Sequence, residues 1–427
     1  MNKIIQPAKS IHGDISVPGD KSISHRAIMF GAIARGNTTI SNLSSSADVA
    51  STRSCLQQLG IDITEENSVI TVAGKGLTGL SASPRELDCG NSGTTIRLIS
   101  GILAAQPFTS TLIGDASLSK RPMNRIIQPL TQMGAQIVSQ PGGFAPLTIH
   151  GQRLNPIAFT SPVASAQVKS CILLAGLFTE GTTTVSEPTL SRDHTERLLH
   201  DFGVTVDSDA SGISIHGPAT LHGCDILVPG DFSSAAFFIG AALLVSNASL
   251  LLKNIGLNPT RTGLLDVLGR MGARIIIHPS SFPSSEPMGD IEIFSSRLVG
   301  TTIEANLVPS LIDEIPILAV IAARAEGMTT LSGAGELRVK ESDRLKAITQ
   351  NLLKMGILIE EKDDGFIIEG PQQFKGAEVD SFHDHRIAMA FSVAGLIARG
   401  QTTILNPDCV GISMPNFYTT LEEVVDE

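Results

Sequence analysis

The stretch GAIARGNTTISN, residues 31–42, decides the fold because versions of it recur along the chain. In each version a helix of small apolar residues ends at a Gly or another turn residue, and a strand rich in Thr and other β-branched residues follows. The other copies are GILAAQPFTSTLIG (101–114), AGLFTEGTTTVSE (175–187), GAALLVSNASLLLKN (240–254), AARAEGMTTLSG (322–333) and GLIARGQTTILN (395–406). Copies spaced by roughly 65 to 80 residues predict a repeat architecture.

Five of the six repeats continue into a second helix that ends at a Gly and enters another strand. These segments are QLGIDITEE (58–66), QMGAQIVSQ (132–140), DFGVTVDSD (201–209), RMGARIIIH (270–278) and KMGILIEEK (354–362). Each repeat is therefore predicted to run strand–helix–strand–helix–strand–strand. The sixth repeat lacks its closing strands, and the N-terminal segment KIIQPAKSIHGDISV (3–17) is predicted to complete it.

A chain of 427 residues exceeds what a single core usually holds, so the six repeats are divided into two domains of three. The predicted domains are residues 19–227 and residues 228–427 plus 1–18, because both crossings contain the sequence Val-Pro-Gly-Asp. The central helices are apolar on most of their surface, which is typical of buried helices. We predict an α/β protein, a two-domain inside-out α/β barrel with buried parallel helices, outer sheets and an active site in the interdomain cleft.

Composition excludes several classes of protein. The chain carries a net charge of −11, no Trp and one Tyr, which disfavours nucleic-acid binding. The five cysteines form no C-x-x-C pair, which indicates a reduced chain without disulfides or zinc. The N terminus lacks the apolar core of a signal peptide, and the longest apolar run, AAFFIGAALLV (235–245), is too short to span a bilayer. We expect a cytoplasmic protein.

The loops that precede the central helices hold most of the distinctive polar residues. They read GDKSISHR (19–26), CGNSGTTIR (89–97), SPVASAQVK (161–169), PGDFSS (229–234), VPSLIDEIP (308–316) and SFHDHR (381–386). The free N–H groups and partial positive charge of a helix N terminus attract anions, and nearby Lys and Arg strengthen that attraction. Lys21, Ser22 and Arg26 are therefore predicted to clamp an anion, and a cleft lined by such loops would suit small polyanions.

Each loop also has a purely structural interpretation. GDKSISHR could be an Asp20 N-cap followed by solvated charges, and CGNSGTT could be a turn with helix caps. His383 and His385 could suggest a metal site, but no second cluster of ligands accompanies them. In GELRVKESDRL (335–345), Lys340 and Arg344 could belong to a solvated helix face, but they lie one turn apart, and two such cations repel each other unless an anion lies between them.

These motifs together resemble one enzyme family. GDKSISHR, GNSGTTIR, KRPM, SAQVK, IDEIP, LRVKESDRL and DHRIAM occur in the order found in 5-enolpyruvylshikimate-3-phosphate synthases (3-phosphoshikimate 1-carboxyvinyltransferases) and cover nearly the whole chain. The resemblance implies the inside-out two-domain fold of six similar repeats. It also implies transfer of the enolpyruvyl group of phosphoenolpyruvate to the 5-hydroxyl of shikimate 3-phosphate, with release of phosphate, as a step toward aromatic amino acids. It implies a monomer that needs no metal or organic cofactor.

The resemblance also assigns site residues. The positions that match phosphoenolpyruvate contacts are Lys21, Gly93, Arg121, Gln167, Arg344 and Arg386. Those that match shikimate 3-phosphate contacts are Lys21, Ser22, Arg26, Ser165, Ala166, Gln167, Asp313 and Lys340, and Arg192 is implied to meet the phosphate. Asn91 and His385 complete the substrate-binding set. Asp313 is the implied base, Glu341 the implied acid at C3, and Lys21 a possible proton shuttle; their division of labour is left open.

The chain departs from the family pattern in two places. Ile412 stands near a position where the family often has a lysine, and Gly93 is typical of glyphosate-sensitive members although other motifs resemble the tolerant subgroup. Sensitivity to this herbicide therefore stays open. The main alternative is UDP-N-acetylglucosamine enolpyruvyl transferase, which usually has a reactive Cys before its Arg-Pro pair, whereas GDASLSKRP (114–122) has none. A non-enzymatic repeat scaffold would not focus basic residues at helix starts.

Overall fold

The structure is a computed structural model that describes residues 2–282 and 284–426. Positions 1, 283 and 427, which the predicted domains include, lie outside the described residues. The α-helices are α1 (Lys21–Ile33), α2 (Ala47–Gln58), α3 (Gly93–Leu103), α4 (Asn124–Gln132), α5 (Ala166–Gly176), α6 (His194–Asp201), α7 (Phe232–Leu244), α8 (Gly263–Arg270), α9 (Val308–Leu311), α10 (Ile315–Ala322), α11 (Arg344–Lys354), α12 (His385–Leu396) and α13 (Phe417–Val424).

The strands are interspersed among these helices along the chain. They are β1 (Lys3–Ile5), β2 (Ser10–Ser16), β3 (Arg35–Ser41), β4 (Asp62–Glu66), β5 (Val69–Lys75), β6 (Leu87–Asp88), β7 (Thr109–Ile113), β8 (Gln136–Gln140), β9 (Phe144–His150), β10 (Ala158–Thr160), β11 (Gly181–Ser186), β12 (Val206–Asp209), β13 (Gly212–Gly217), β14 (Asp225–Leu227), β15 (Ala248–Gly256), β16 (Arg274–Pro279), β17 (Met288–Phe294), β18 (Thr302–Ile303), β19 (Gly327–Leu331), β20 (Glu360–Lys362), β21 (Gly365–Gly370), β22 (Glu378–Asp380), β23 (Thr402–Leu405) and β24 (Val425–Asp426).

The chain forms two compact units. The N-terminal unit contains residues 19–228 together with 284–286, and the C-terminal unit contains residues 2–18, 229–282 and 287–426. The sequence indicated no role in the N-terminal unit for residues 284–286, which lie in the connection between β16 and β17. They are held there by polar contacts, because Ser285 O accepts from Arg197 Nη1 at 3.0 Å and Glu286 Oε1 lies 2.7 Å from His194 Nδ1.

The N-terminal unit contains three four-stranded sheets of one design. Their strand orders are β14-β3-β5-β4, β6-β7-β9-β8 and β10-β11-β13-β12. In each sheet the first pair is parallel and the other two pairs are antiparallel. A parallel first pair joined through a helix is the arrangement that a strand–helix–strand repeat requires. The first sheet obtains its parallel strand from β14, at the end of the unit.

The C-terminal unit applies the same design less regularly. Its strand orders are β16-β17-β15-β2-β24, β18-β19-β21-β20 and β1-β23-β22. Strand β1 pairs with β23 and so adds a strand to the sixth repeat, whose closing strands are missing from the sequence that follows β23. Strand β2 lies instead in the fourth repeat, parallel to β15, so one N-terminal segment serves two sheets.

Three central helices are buried in the core of each unit. In α1 every residue from Ile23 to Ile33 is buried, and in α7 every residue from Phe232 to Leu243 is buried. Small residues permit close packing: a Cβ on Gly101 of α3 would lie 2.2 Å from the carbonyl oxygen of Cys171 in α5. The predicted α/β class with buried central helices is confirmed. The described strands form separate open sheets, and none of these sheets closes into a barrel.

Candidate active site

Helix α1 begins with a cap and a cation. The Asp20 carboxylate accepts from the backbone N–H of Ile23 at 2.9 Å, which satisfies a free donor of the first turn. Lys21 is the first helical residue, and its Nζ lies 3.0 Å from Asp48 Oδ2, with side chains that are 17% and 10% exposed. The N-cap interpretation of Asp20 is therefore correct, but Lys21 is a paired and largely enclosed cation.

Arg26 lies one turn further along α1 and is only 2% exposed. Its Nε donates to Thr195 Oγ1 at 2.7 Å, its Nη2 to Ser170 Oγ at 2.7 Å, and its Nη1 to the backbone oxygen of Ser22 at 2.9 Å. Burial lowers the pKa of Arg26 to about 10, opposed by the nearby Glu196 carboxylate. The alternative in which this charge is solvated is therefore wrong, and Arg26 joins α1 to α5 and α6.

The start of α3 gathers a second group of polar side chains. Ser92 caps the helix, accepting from the Thr95 N–H at 3.0 Å, and Gly93 is its first residue. Gln167 of α5 accepts from Arg97 Nη1 at 2.7 Å and donates to the Thr94 hydroxyl at 3.0 Å.

Two further predicted residues lie beside this group. Arg121 Nη2 donates to Asn91 Oδ1 at 2.9 Å, and Asn91 in turn donates to Asp115 Oδ2 at 2.8 Å. A Cβ on Gly93 would lie 2.7 Å from Arg97 Nη1 and 3.5 Å from Arg121 Nη1. The structure therefore brings Gly93, Arg121 and Gln167 together, as a shared role in binding one ligand requires.

The start of α5 is tied to the loop that leads to α6. Ser165 is the N-cap residue of α5 and Ala166 is its first helical residue. The Ser165 N–H donates to Glu187 Oε1 at 2.8 Å, and Glu187 also accepts from Ser191. Arg192 follows directly in the chain and is partly exposed. The Ser165 and Arg192 segments are therefore linked through Glu187.

The predicted site cations of the C-terminal unit lie around Arg344. This residue is the first of α11 and is 1% exposed. Its guanidinium contacts three carboxylates: Nε to Asp384 Oδ2 at 2.8 Å, Nη2 to Glu341 Oε2 at 2.7 Å and Nη1 to Asp313 Oδ1 at 3.2 Å. Burial lowers the pKa of Arg344, but the three carboxylates outweigh burial and raise that pKa above its ordinary value. Arg344 thus connects segments that precede α10, α11 and α12.

Asp313 is the carboxylate shared by the predicted cations of this unit. Its Oδ1 lies 3.8 Å from Arg386 Nε and 4.0 Å from Lys340 Nζ, in addition to the contact with Arg344. Arg386 Nη1 also lies 3.9 Å from Glu314 Oε1. The sequence argument that Lys340 and Arg344 need an anion between them therefore does not by itself indicate a bound ligand, because the protein's own Asp313 carboxylate contacts both cations.

The DHR motif caps α12. Asp384 is fully buried and accepts from the Arg386 N–H at 3.0 Å, and His385 is the first helical residue, 1% exposed. Among residues 2–282 and 284–426, no group of three or more His, Cys, Asp or Glu side chains is placed to hold a metal ion. The helices described for this chain include none that is long and apolar enough to cross a membrane.

Several residues of these clusters were not predicted. Asp48, Arg97, Glu314 and Asp384 each contact a predicted residue. Arg97, Glu314 and Asp384 lie inside quoted motifs, and a rule that buried cations need carboxylate partners could have selected Glu314 and Asp384. Asp48 lies in no quoted motif, and the fold alone brings it to Lys21.

Repeated α/β units with buried central helices, and with Lys21 and Arg344 as the first residues of α1 and α11, define an α/β protein of two compact units. The model of the EPSP synthase family (3-phosphoshikimate 1-carboxyvinyltransferase) matches residues 5–421, and the chain belongs to this family. The chain is 52% identical over 426 residues to the 3-phosphoshikimate 1-carboxyvinyltransferase of Solibacter usitatus, covering all of both chains. It is 51% identical over 424 residues to that of Bacillus cereus, covering 99% of both chains.

Solved structures agree with this assignment. The EPSP synthase of Acinetobacter baumannii matches with a TM-score of 0.90 and 45% identity, over 100% of this chain and 98% of that chain. The enolpyruvyl transferase NikO of Streptomyces tendae matches with a TM-score of 0.79 and 19% identity, over 99% and 97% of the two chains, and supports the fold alone. The family and the transferase class predicted from the motifs are confirmed.

Proposed function

We propose that the two sets of clustered cations bind phosphoenolpyruvate and shikimate 3-phosphate and that the chain transfers the enolpyruvyl group to the 5-hydroxyl of the acceptor. The match of the family model over residues 5–421 carries this proposal. The geometry supports it, because both substrates carry a phosphate and a carboxylate, and both units place Lys and Arg at helix starts.

The proposed phosphoenolpyruvate ligands fall into two clusters, one in each unit. In the N-terminal unit, Gly93, Arg121 and Gln167 lie together, and Lys21 stands at the start of α1. In the C-terminal unit, Arg344 and Arg386 both approach Asp313. Guanidinium groups bind phosphate and carboxylate through paired N–H donors, which suits a ligand with both groups.

The proposed acceptor ligands are likewise clustered. Ser22, Arg26 and Ser165 to Gln167 lie at the starts of α1 and α5, and Arg192 precedes α6. Asp313 and Lys340, with Nζ 4.0 Å from Oδ1, complete the set in the C-terminal unit. Asn91 and His385 support neighbouring ligands, since Asn91 accepts from Arg121 and His385 precedes Arg386 in α12.

The addition step requires two proton transfers, and the elimination step requires the loss of a proton from C3. The 5-hydroxyl loses its proton as it attacks C2 of the enol, C3 gains a proton, and the tetrahedral adduct then expels phosphate as C3 loses a proton again. Asp313 is the proposed base and Glu341 the proposed acid, with Lys21 as a proton carrier. The Glu341 carboxylate accepts from Arg344 at 2.7 Å, a bond that an ionised carboxylate makes best, so Glu341 must take up a proton before it can donate one.

We further propose that the chain acts as a cytoplasmic monomer and uses neither metal nor organic cofactor. Side chains can carry these proton transfers, and the arginines and lysines can stabilise the developing charge. Size-exclusion chromatography with light scattering at micromolar concentration tests the monomer, and a dimer mass would contradict it. Activity that is unchanged after dialysis against a chelator tests the absence of a metal.

Phosphate release tests the reaction. We expect release when phosphoenolpyruvate is mixed with shikimate 3-phosphate, and none when UDP-N-acetylglucosamine replaces the acceptor. The segment 114–122 supports this choice, because it lacks the Cys usual in the sugar-nucleotide enzyme. Release with the sugar nucleotide alone would refute the proposed function, and the Asp313→Asn variant should abolish release with shikimate 3-phosphate.

A further inference from the structure

Glu187 is a buried carboxylate at the end of a rigid element. It follows β11 directly, and its side chain is 3% exposed. Oε1 accepts from the Ser165 N–H at 2.8 Å. Oε2 accepts from the Ser191 N–H at 3.3 Å and from the Ser191 hydroxyl at 2.7 Å. One carboxylate therefore holds two separate segments of the chain, each by a different oxygen.

A buried cation completes this arrangement. Lys169 of α5 is 1% exposed, and its Nζ lies 3.3 Å from Glu187 Oε2 and 2.7 Å from Glu196 Oε1 of α6. The same ammonium donates to the backbone oxygen of Ser191 at 3.4 Å. A buried carboxylate is costly unless a cation and several donors satisfy it, and Glu187 has both. Lys169 thus connects α5, α6 and the loop between them.

The two segments that Glu187 holds are those assigned to the acceptor. Ser165 precedes Ala166 and Gln167 at the start of α5, and Ser191 precedes Arg192. We propose that Glu187 is a positioning residue for shikimate 3-phosphate: it fixes the spacing between the start of α5 and the Arg192 segment, and so sets affinity for the acceptor. This rests on the proposed function, in which these segments bind the acceptor. Of the phosphoenolpyruvate ligands, Gln167 belongs to the same segment as Ser165.

The test measures the two substrates separately. Binding of shikimate 3-phosphate alone is measured by calorimetry, and KM is measured for each substrate. Loss of charge-assisted hydrogen bonds predicts that Glu187→Ala weakens acceptor binding by about 10- to 100-fold. Glu187→Gln keeps one acceptor oxygen and should fall between wild type and Glu187→Ala. In both variants KM for phosphoenolpyruvate should change by about twofold or less, because Gln167 is one of its several ligands.

A matched control separates positioning from stability. Ile215 of β13 is fully buried in the same sheet and has no polar side-chain atoms, so Ile215→Ala lowers the melting temperature without removing a hydrogen bond. We expect this variant to bind shikimate 3-phosphate as the wild type does at a temperature where both are folded. If Ile215→Ala weakens acceptor binding as much as Glu187→Ala, the effect is one of stability and the proposal is overturned.

Two other results would also overturn the proposal. One is wild-type acceptor affinity in folded Glu187→Ala or, if that variant does not fold, in folded Glu187→Gln. The other is an equal rise in KM for both substrates. A wild-type protein that neither binds shikimate 3-phosphate nor releases phosphate would instead refute the proposed function, so the two failures are distinguishable.

Discussion

His25 is a fully buried histidine of α1. Its Nδ1 lies 2.7 Å from the hydroxyl of Thr52, which in turn lies 2.7 Å from the hydroxyl of Thr95. Burial lowers the pKa of His25 to about 3, and Lys21 and Arg26 act in the same direction against the carboxylates of Asp48 and Asp20. The imidazole is therefore a neutral link between α1, α2 and α3.

This pKa predicts a pH dependence of stability. The folded pKa of His25 lies below the ordinary value of 6.5, so its stabilising effect is complete above pH 6.5 and is lost as pH falls toward 3. As pH decreases below 6.5, we expect the free energy of unfolding to fall more steeply for wild type than for His25→Asn. The difference in slope should reach up to about 1.4 kcal/mol per pH unit. Urea denaturation at pH 7 and pH 5 measures the free energy of unfolding of both proteins. An equal decrease between the two pH values in wild type and variant would contradict the prediction.

Gly93 is the residue whose replacement tests the proposed phosphoenolpyruvate site most sharply. A methyl group there would lie 2.7 Å from Arg97 Nη1, so the end of that flexible side chain must move, and 3.5 Å from Arg121 Nη1. Arg97 donates to Gln167, so its displacement also disturbs a second proposed ligand. We expect Gly93→Ala to raise KM for phosphoenolpyruvate by about tenfold, the cost of roughly one charge-assisted hydrogen bond.

Steady-state kinetics with each substrate varied in turn measures this effect. KM for shikimate 3-phosphate should rise less than KM for phosphoenolpyruvate, and the melting temperature should stay close to that of wild type. An equal rise in KM for both substrates would show that Gly93 does not belong to a site specific for phosphoenolpyruvate. The control is Gly269→Ala on α8, where an added Cβ meets no atom within 4 Å.

Arg344 connects the segments before three helices, whereas Arg121 joins one loop to the start of α3. Arg344→Ala would leave the fully buried Asp384 without its guanidinium partner. Removing one member of a buried ion pair typically costs about 3–5 kcal/mol. We therefore expect Arg344→Ala to destabilise the C-terminal unit as well as weaken phosphoenolpyruvate binding.

Arg121→Ala is the matched comparison. Arg121 is partly exposed and bonds the amide of Asn91, so its loss should change stability by about 0.5 kcal/mol or less. Phosphoenolpyruvate binding should still weaken by about tenfold or more. Differential scanning calorimetry and ligand titration of both variants measure the contrast. Equal stability of the two variants would contradict the role assigned to the Arg344 cluster.

Strands β1 and β2 should differ in how much they contribute to stability. Ile11 of β2 is fully buried in a sheet where β2 lies between β15 and β24, whereas Ile4 of β1 is 51% exposed. Ile11→Ala should therefore destabilise the C-terminal unit by about 2–5 kcal/mol, and Ile4→Ala by about 0.5 kcal/mol or less. Thermal unfolding measures both variants. An Ile4 variant as unstable as the Ile11 variant would contradict the pairing described for these strands.

The elements also show how much could be predicted from sequence. The recurring segment first seen at residues 31–42 predicted the repeats, because an apolar helix followed by Gly and β-branched residues is a local sequence pattern. The division of the N-terminal segment between two sheets was missed, because both β1 and β2 have strand composition and only long-range pairing distinguishes their partners. For the same reason Lys21 could be selected from its motif, but its partner Asp48, 27 residues away, could not.

The whole molecule carries a net charge of −11, yet its proposed substrates are anions. The two facts are compatible because Coulomb repulsion between a distant acidic residue and an anionic ligand is screened beyond about 10 Å at ordinary ionic strength, so nearby cations dominate a binding site. Arg26 and Arg344 are also buried, 2% and 1% exposed, where screening by salt is weakest. The acidic surface therefore does not prevent tight binding of small anions.

The proposed acceptor ligands are distributed over both units. Lys21 and Arg26 belong to the N-terminal unit, and Asp313 and Lys340 to the C-terminal unit. A ligand that binds groups of both units favours conformations in which those groups are close together, and it can shift the population only by its difference in affinity between conformations. We therefore expect shikimate 3-phosphate to reduce the radius of gyration measured by small-angle scattering. Inorganic phosphate at the same concentration, which lacks the carboxylate and hydroxyl groups of shikimate 3-phosphate, should leave the radius unchanged. Lys340→Ala should need more ligand for the same compaction, and an unchanged radius in wild type at saturation, with binding verified by calorimetry, would contradict a shared acceptor site.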